Sequence, residues 1–107
     1  MELLPAALRA SLPALYSQER NPDPRVHLKL FTPDSNWTWF VTEGQPQEDD
    51  FLFFGFVCGF EEEWGYFVLS ELANVGGRGR MPIERDLHFQ PGSFSEVIAR
   101  YREERGK

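Results

Sequence analysis

Apolar positions switch from a helical to an alternating period and back along this chain. Leu4, Leu8, Leu12, Leu15 and Tyr16 recur at three- and four-residue steps, which puts them on one face and predicts helix over 4–18. Pro13 falls inside that pattern and removes a backbone donor. Ser11 just before it suits the cap of a further turn. The expectation is two short helices or one kinked helix, ended by Asn21-Pro22-Asp23-Pro24.

Residues 25–32 alternate. Val26, Leu28 and Leu30 point one way; His27, Lys29 and Phe31 point the other. Pro33-Asp34-Ser35-Asn36 is composed of turn residues. Aromatic and β-branched residues then predict a strand over 37–42, which closes a hairpin. Residues 43–50 read as a polar loop. Residues 51–60 form a third strand that is apolar on both faces, with Phe51, Phe53 and Val57 on one and Leu52, Phe54, Phe56 and Cys58 on the other. A strand without a polar side is central and covered twice; Phe53, Phe54, Phe56 and Val57 are the predicted core. Gly55 and Gly59 leave room there for a large neighbour or a bulge. Glu61-Glu62-Glu63 is the next turn and 64–69 the fourth strand.

Ser70 suits the cap of a short helix through residue 75. Residues 76–80 are a glycine-rich loop, and 83–89 a short extended segment. Pro91-Gly92 is a turn. Ser93 with Glu96 makes a capping box, and Phe94, Val97, Ile98 and Tyr101 give a helical stripe. The fold class is therefore α+β: an antiparallel sheet of about four to five strands with N- and C-terminal helices packed on it. With 107 residues the chain makes a single domain, 1–107.

Charge changes this picture more than composition does. The net charge is −6, yet residues 1–29 carry +1 and residues 78–107 carry +2. Residues 30–77 hold nine acids, no Lys or Arg, and 12 of the 16 aromatics. The expected binding face is thus acidic and aromatic: Asp34, Trp37, Trp39, Glu48, Asp49, Asp50, Glu61, Glu62, Glu63 and Trp64. Its acids fall into clusters at opposite ends of the third strand, too far apart for one metal site. Three neighbouring glutamates in a tight turn cannot converge on one ion, so no metal and no cofactor is expected. A negative strip of this kind steers a basic partner and competes with DNA for it.

Other motifs carry less. Gly76-Gly77-Arg78-Gly79-Arg80 lacks the spacing and Lys-Ser/Thr pair of a P-loop. His27 and His88 sit among apolar neighbours and read as structural. Cys58 lies in the most apolar strand, where a thiol is inert. No nucleophile has a recognisable context, which leaves a His/carboxylate hydrolase the weakest class and favours a protein that is not an enzyme. One cysteine excludes an internal disulfide framework and fits a cytoplasmic protein. No apolar run spans a bilayer. The alternative function is nucleic-acid binding, with Arg78, Arg80, Arg85 and the arginines of the C-terminal helix on phosphates.

The run Phe31-Thr32-Pro33-Asp34-Ser35-Asn36-Trp37-Thr38-Trp39 is followed by Glu43-Gly44, Asp49-Asp50-Phe51, Glu61-Glu62-Glu63-Trp64-Gly65-Tyr66-Phe67 and Pro82-Ile83-Glu84-Arg85-Asp86. Together these motifs resemble a small bacterial family of unknown function, along nearly the whole chain. Its members are carried on plasmids and integrative elements, alone or beside DNA-handling and anti-restriction genes. The resemblance implies a mobile-DNA context and brings no catalytic residue with it. The expected partner is then a basic DNA-handling protein, with nucleic acid as the alternative and no membrane.

Overall fold

The computed structural model describes residues 1–75 and 81–106; the expected 76–80 loop, with Arg78 and Arg80, lies outside them. Along the chain the elements are α1 (Ala6–Ser11), β1 (Arg25–Val26), β2 (Leu28–Phe31), β3 (Thr38–Gln47), β4 (Asp50–Cys58), β5 (Glu62–Val68), α2 (Leu69–Asn74), β6 (Glu84–Arg85), β7 (Gly92–Ser93) and α3 (Phe94–Arg105). Five strands form one antiparallel sheet in the order β5-β4-β3-β2-β6, and β1 pairs with β7 in a separate two-stranded ladder. The α+β architecture is the one the periodicity predicts.

The two-sided apolar pattern of β4 decides the layering. Phe51 and Phe53 join Leu28, Leu30, Trp39, Val41 and Phe67 on one face, under Leu3, Leu4, Leu12, Leu72 and Ile83. Phe56 and Cys58 join Val26 and Phe40 on the other, under Val97, Ile98 and Tyr101 of α3. Gly55 and Gly59 are fitted to close approaches. A β-carbon on Gly55 would lie 2.0 Å from the Phe40 carbonyl oxygen, and one on Gly59 would meet the Trp37 ring. Phe53 is fully buried, but Phe54 and Val57 are only half-buried, which corrects the expected core: α3 does not reach Phe54.

Other expectations change at the edges of elements. Only Ala6–Ser11 of the 4–18 stretch is helical, and residues 15–20 are turns. Past Pro13 the chain belongs to the sheet: the Pro13 carbonyl accepts from Gly44 N at 2.9 Å. Ser11 Oγ donates back to the Leu8 carbonyl instead of starting a second helix. The strand expected to stop at residue 42 runs to Gln47, because β4 pairs it all the way. Glu62 and Glu63 are not in a turn; they open β5 opposite Cys58 and Val57. Helix α2 starts at Leu69, and the Asp50 carboxylate takes the Ser70 N–H and Oγ–H. Pro91-Gly92 is not a free turn, since Gly92 pairs with Val26. Ser93 caps α3 by accepting from Glu96 N, as expected.

Two irregularities redirect side chains. His27 N donates to the Val41 carbonyl at 2.9 Å, and Leu28 also opposes Val41. The alternation breaks there, so Val26 packs with the α3 face while Leu28 and Leu30 pack on the other. A bulge between Val41 and Glu43 then sets Glu43, not Thr42, opposite Phe54. A bulge turns the following residues to the other face, and Glu43 comes onto the α3 side.

Phe53→Ala should cost about 3–5 kcal/mol, the range for a buried phenylalanine. Phe54→Ala should cost clearly less. Urea melts of the two variants check this, and equal losses would contradict the half-open face.

Candidate functional site

Helix α3 covers only part of its face of the sheet. Phe94 marks the border, its ring 4.9 Å from Phe56 and 4.7 Å from Trp64. Trp64 is covered by α3 only through that Phe94 contact, and Phe54 and Tyr66 lie beyond it. The turns after Pro13 rise opposite them, and the groove between has a volume of about 340 Å³. Phe54 and Trp64 lie nearly parallel, at 5.8 Å and 12°, and Tyr66 is 4.9 Å from Phe54. Trp64 is 39% exposed and Tyr66 51%.

Glu43 anchors the opposite wall. It is buried, and its carboxylate accepts from Tyr16 N at 2.9 Å and Gln18 N at 2.7 Å. Those two amides are free because Tyr16 takes a φ of 72°, which turns the chain out of any helix. Gln18 completes the wall: its side-chain amide donates to the carbonyls of Thr42 and Arg25 and its oxygen accepts from Arg25 N. The neighbouring Tyr16 hydroxyl, first of all, holds the Tyr66 phenol above its ordinary pKa; desolvation and the nearby Glu43 and Glu19 act the same way. The Tyr66 phenol therefore stays neutral at physiological pH.

Of the ten residues expected to form a binding face, Trp64 alone lines this groove. Trp39 is buried in the first core cluster, so it presents nothing to a partner. Trp37 is half-buried, stacked on Trp39 and edge-on to the exposed Phe60. Asp34 is exposed and accepts from Met81 N. Glu48 and Asp49 are exposed in the β3–β4 turn, and Asp50 is tied to Ser70. Glu61 is exposed; Glu62 meets Arg102 at 2.8 Å; Glu63, one residue on, points to the opposite face. Of these acids, Asp34, Asp50 and Glu62 are engaged by intramolecular partners, and Glu62 and Glu63 lie on opposite faces of the sheet. Tyr16, Gln18, Glu19, Glu43 and Phe54 are among the groove residues that sequence reasoning missed. The Glu43-Gly44 motif was the available signal, but nothing in it reveals the bulge.

Arg85 is half-buried and donates to the Glu2 carbonyl at 2.6 Å. Arg100 donates to the Gln90 carbonyl, Arg102 to Glu62, and Arg105 lies over the Tyr101 ring. These described arginines have intramolecular partners and do not line the groove.

The family model that matches residues 3–107 is described as a protein of unknown function, DUF2958. The chain belongs to this family. No curated protein and no solved structure matches it. Membership agrees with the motif resemblance and assigns no activity.

The remaining chemistry is quiet. Burial, and then Glu62, push the Cys58 thiol up to about 11, so it is protonated and unreactive. Burial, with Arg25 beside it, lowers the His27 pKa and keeps the ring neutral. Among the described residues no three His, Cys, Asp or Glu side chains converge on a metal site. None of the described helices is long and apolar enough to cross a membrane.

Glu43→Gln leaves a single side-chain oxygen for two amides, so one loses its acceptor; the urea midpoint should report a loss of about 1–3 kcal/mol. No loss would mean the wall does not depend on this carboxylate. Asp50 and Asp23 have lowered pKa values, first through the Ser70 and Ser95 hydroxyls respectively. A depressed carboxylate stabilises the fold above its unfolded pKa of about 3.9, and that contribution disappears as pH falls through the folded value. The melting temperature should drop on acidification below about pH 4. Asp50→Asn and Asp23→Asn should each weaken that dependence, and unchanged slopes would contradict the assignment.

Proposed function

We propose that the protein is a non-enzymatic accessory factor of mobile DNA, acting in the cytoplasm, which binds a basic DNA-handling protein through the groove between Tyr66 and Glu43. One observation carries this reading: the groove is lined by four aromatic rings and the carboxylates of Glu19 and Glu43, with no Lys or Arg among the lining residues. Ring faces attract Lys and Arg side chains, and nearby carboxylates strengthen the attraction. Partly exposed Trp and Tyr are the side chains that most often dominate protein interfaces. The negative field of the central segment would steer a basic partner toward it. The mobile-DNA context rests on the motif resemblance.

Nucleic-acid binding has less support. Aromatic rings do stack on bases, but most of the affinity comes from phosphate neutralisation. Among the described residues, those lining the groove supply no cation for that.

Capture from host lysate, with the bound proteins identified by mass spectrometry, tests the reading. Wild type should retain a basic DNA-handling protein, and the Trp64→Ala/Tyr66→Ala double variant should bind it at least about tenfold more weakly, a loss of ~1.4 kcal/mol. Equal capture by both proteins would refute the groove. A gel shift that weakens steeply between low and moderate salt, without protein capture, would put nucleic acid first.

A further inference from the structure

The groove opens onto the outer edge of the sheet. Strand β5 is terminal in the strand order, so among the described residues its only ladder partner is β4. The phase of that ladder is fixed by the turn before it. Gly59 N donates to the Glu61 carbonyl at 3.0 Å, which makes those two residues a hydrogen-bonded pair. Such pairs recur at every second position of an antiparallel ladder. Val57–Glu63, Gly55–Gly65 and Phe53–Phe67 therefore bond across β4 and β5. The N–H and C=O groups of Glu62, Trp64 and Tyr66 point outward, and no hydrogen bond among the described residues engages them.

Exposed edges of this kind pair with other strands unless something blunts them. β5 has seven residues with a continuous register, without proline, lysine or bulge. The opposite edge is β6, which has only two residues.

We propose that the β5 edge takes an extended basic peptide as a sixth strand. This rests on the reading of the groove as a site for a basic protein and specifies how that protein enters. Residues opposite one another in a ladder share a face. Side chains of the added strand opposite Trp64 and Tyr66 therefore stand on the groove face, beside the exposed rings and toward Glu19 and Glu43. The alternate side chains stand on the other face, beside Glu63 and over Gly65, where a β-carbon has nothing within 4 Å. Charge selects the occupant. The strand brings Glu62 and Glu63 and no base, and Arg102 already meets Glu62. Arginine or lysine at every second position of the peptide complements both the rings and the carboxylates. A second copy of this chain would instead add another charge of −6.

The test uses the full chain and the peptide acetyl-Arg-Thr-Arg-Val-Arg-Thr-Arg-amide, with amide hydrogen exchange followed by NMR. The peptide should bind and slow exchange at Glu62, Trp64 and Tyr66 by at least about tenfold, as expected of amides that gain an acceptor. Glu63, Gly65 and Phe67, already bonded to β4, should change much less. N-methylation at alternate peptide positions should abolish binding in one phase and spare it in the other. Binding without protection at Glu62, Trp64 and Tyr66 would overturn strand addition and leave the groove reading intact. Protection that grows with protein concentration in the absence of peptide would assign the edge to a second copy and overturn the proposal. Absence of peptide binding at millimolar concentration would overturn it too, and the lysate capture by wild type and double variant then decides the groove reading separately.

Discussion

A strand with phenylalanines on both faces cannot leave either face to water, and β4 imposes that requirement on everything around it. Burying one such side chain contributes on the order of 2 kcal/mol, so covering both faces outweighs most local preferences. The N-terminal leucines, α2 and Ile83 are drawn over one side. Helix α3 is drawn over the other. The two layers are unequal: α3 is a single helix, and the part of its face that it leaves open, around Phe54 and Tyr66, lines the groove. The site is thus a by-product of how the core is closed.

The bulge at Val41–Glu43 links fold to site. Without it Glu43 would face the first core, where a carboxylate would be costly. With it, the same residue turns to the groove side and binds the two amides that hold the opposite wall. Gln18 and the Pro13 carbonyl fasten that wall to β3 at further points. The chain gives up a second N-terminal helix in exchange for these contacts. That trade explains why an apolar stripe with helical spacing ends in turns: Leu12 and Leu15 are buried, but by an irregular segment pinned to the sheet.

Charge follows the same logic of direction rather than number. Alternation along β5 sends Glu62 toward Arg102 and Glu63 to the far face, while Asp50 is spent on the start of α2. What remains is a smaller acidic aromatic site with its own geometry. Its aromatic wall is built on a sheet edge, so exposed rings and outward-facing backbone groups of β5 lie side by side.

The sequence by itself determined most of the sheet and the C-terminal helix, the α+β class, the two-sided nature of β4, the Ser93 cap of α3 and the apolar setting of Cys58. Each depends on neighbours a few residues away, whose directions follow from the period of the backbone. Membership of an uncharacterised family was likewise expected from the sequence. Tertiary structure alone decided that Trp39 is buried, that Phe54 is half-open, that Val26 changes faces and that Glu43 lines a groove with Tyr16 and Tyr66. These outcomes depend on register between separate segments: Glu43 meets Phe54 across the β3–β4 ladder and reaches back to Tyr16 and Gln18, 27 and 25 residues earlier. A one-residue slip in that register reverses every side chain that follows it, and the local pattern of apolar and polar residues is the same on either side of the slip.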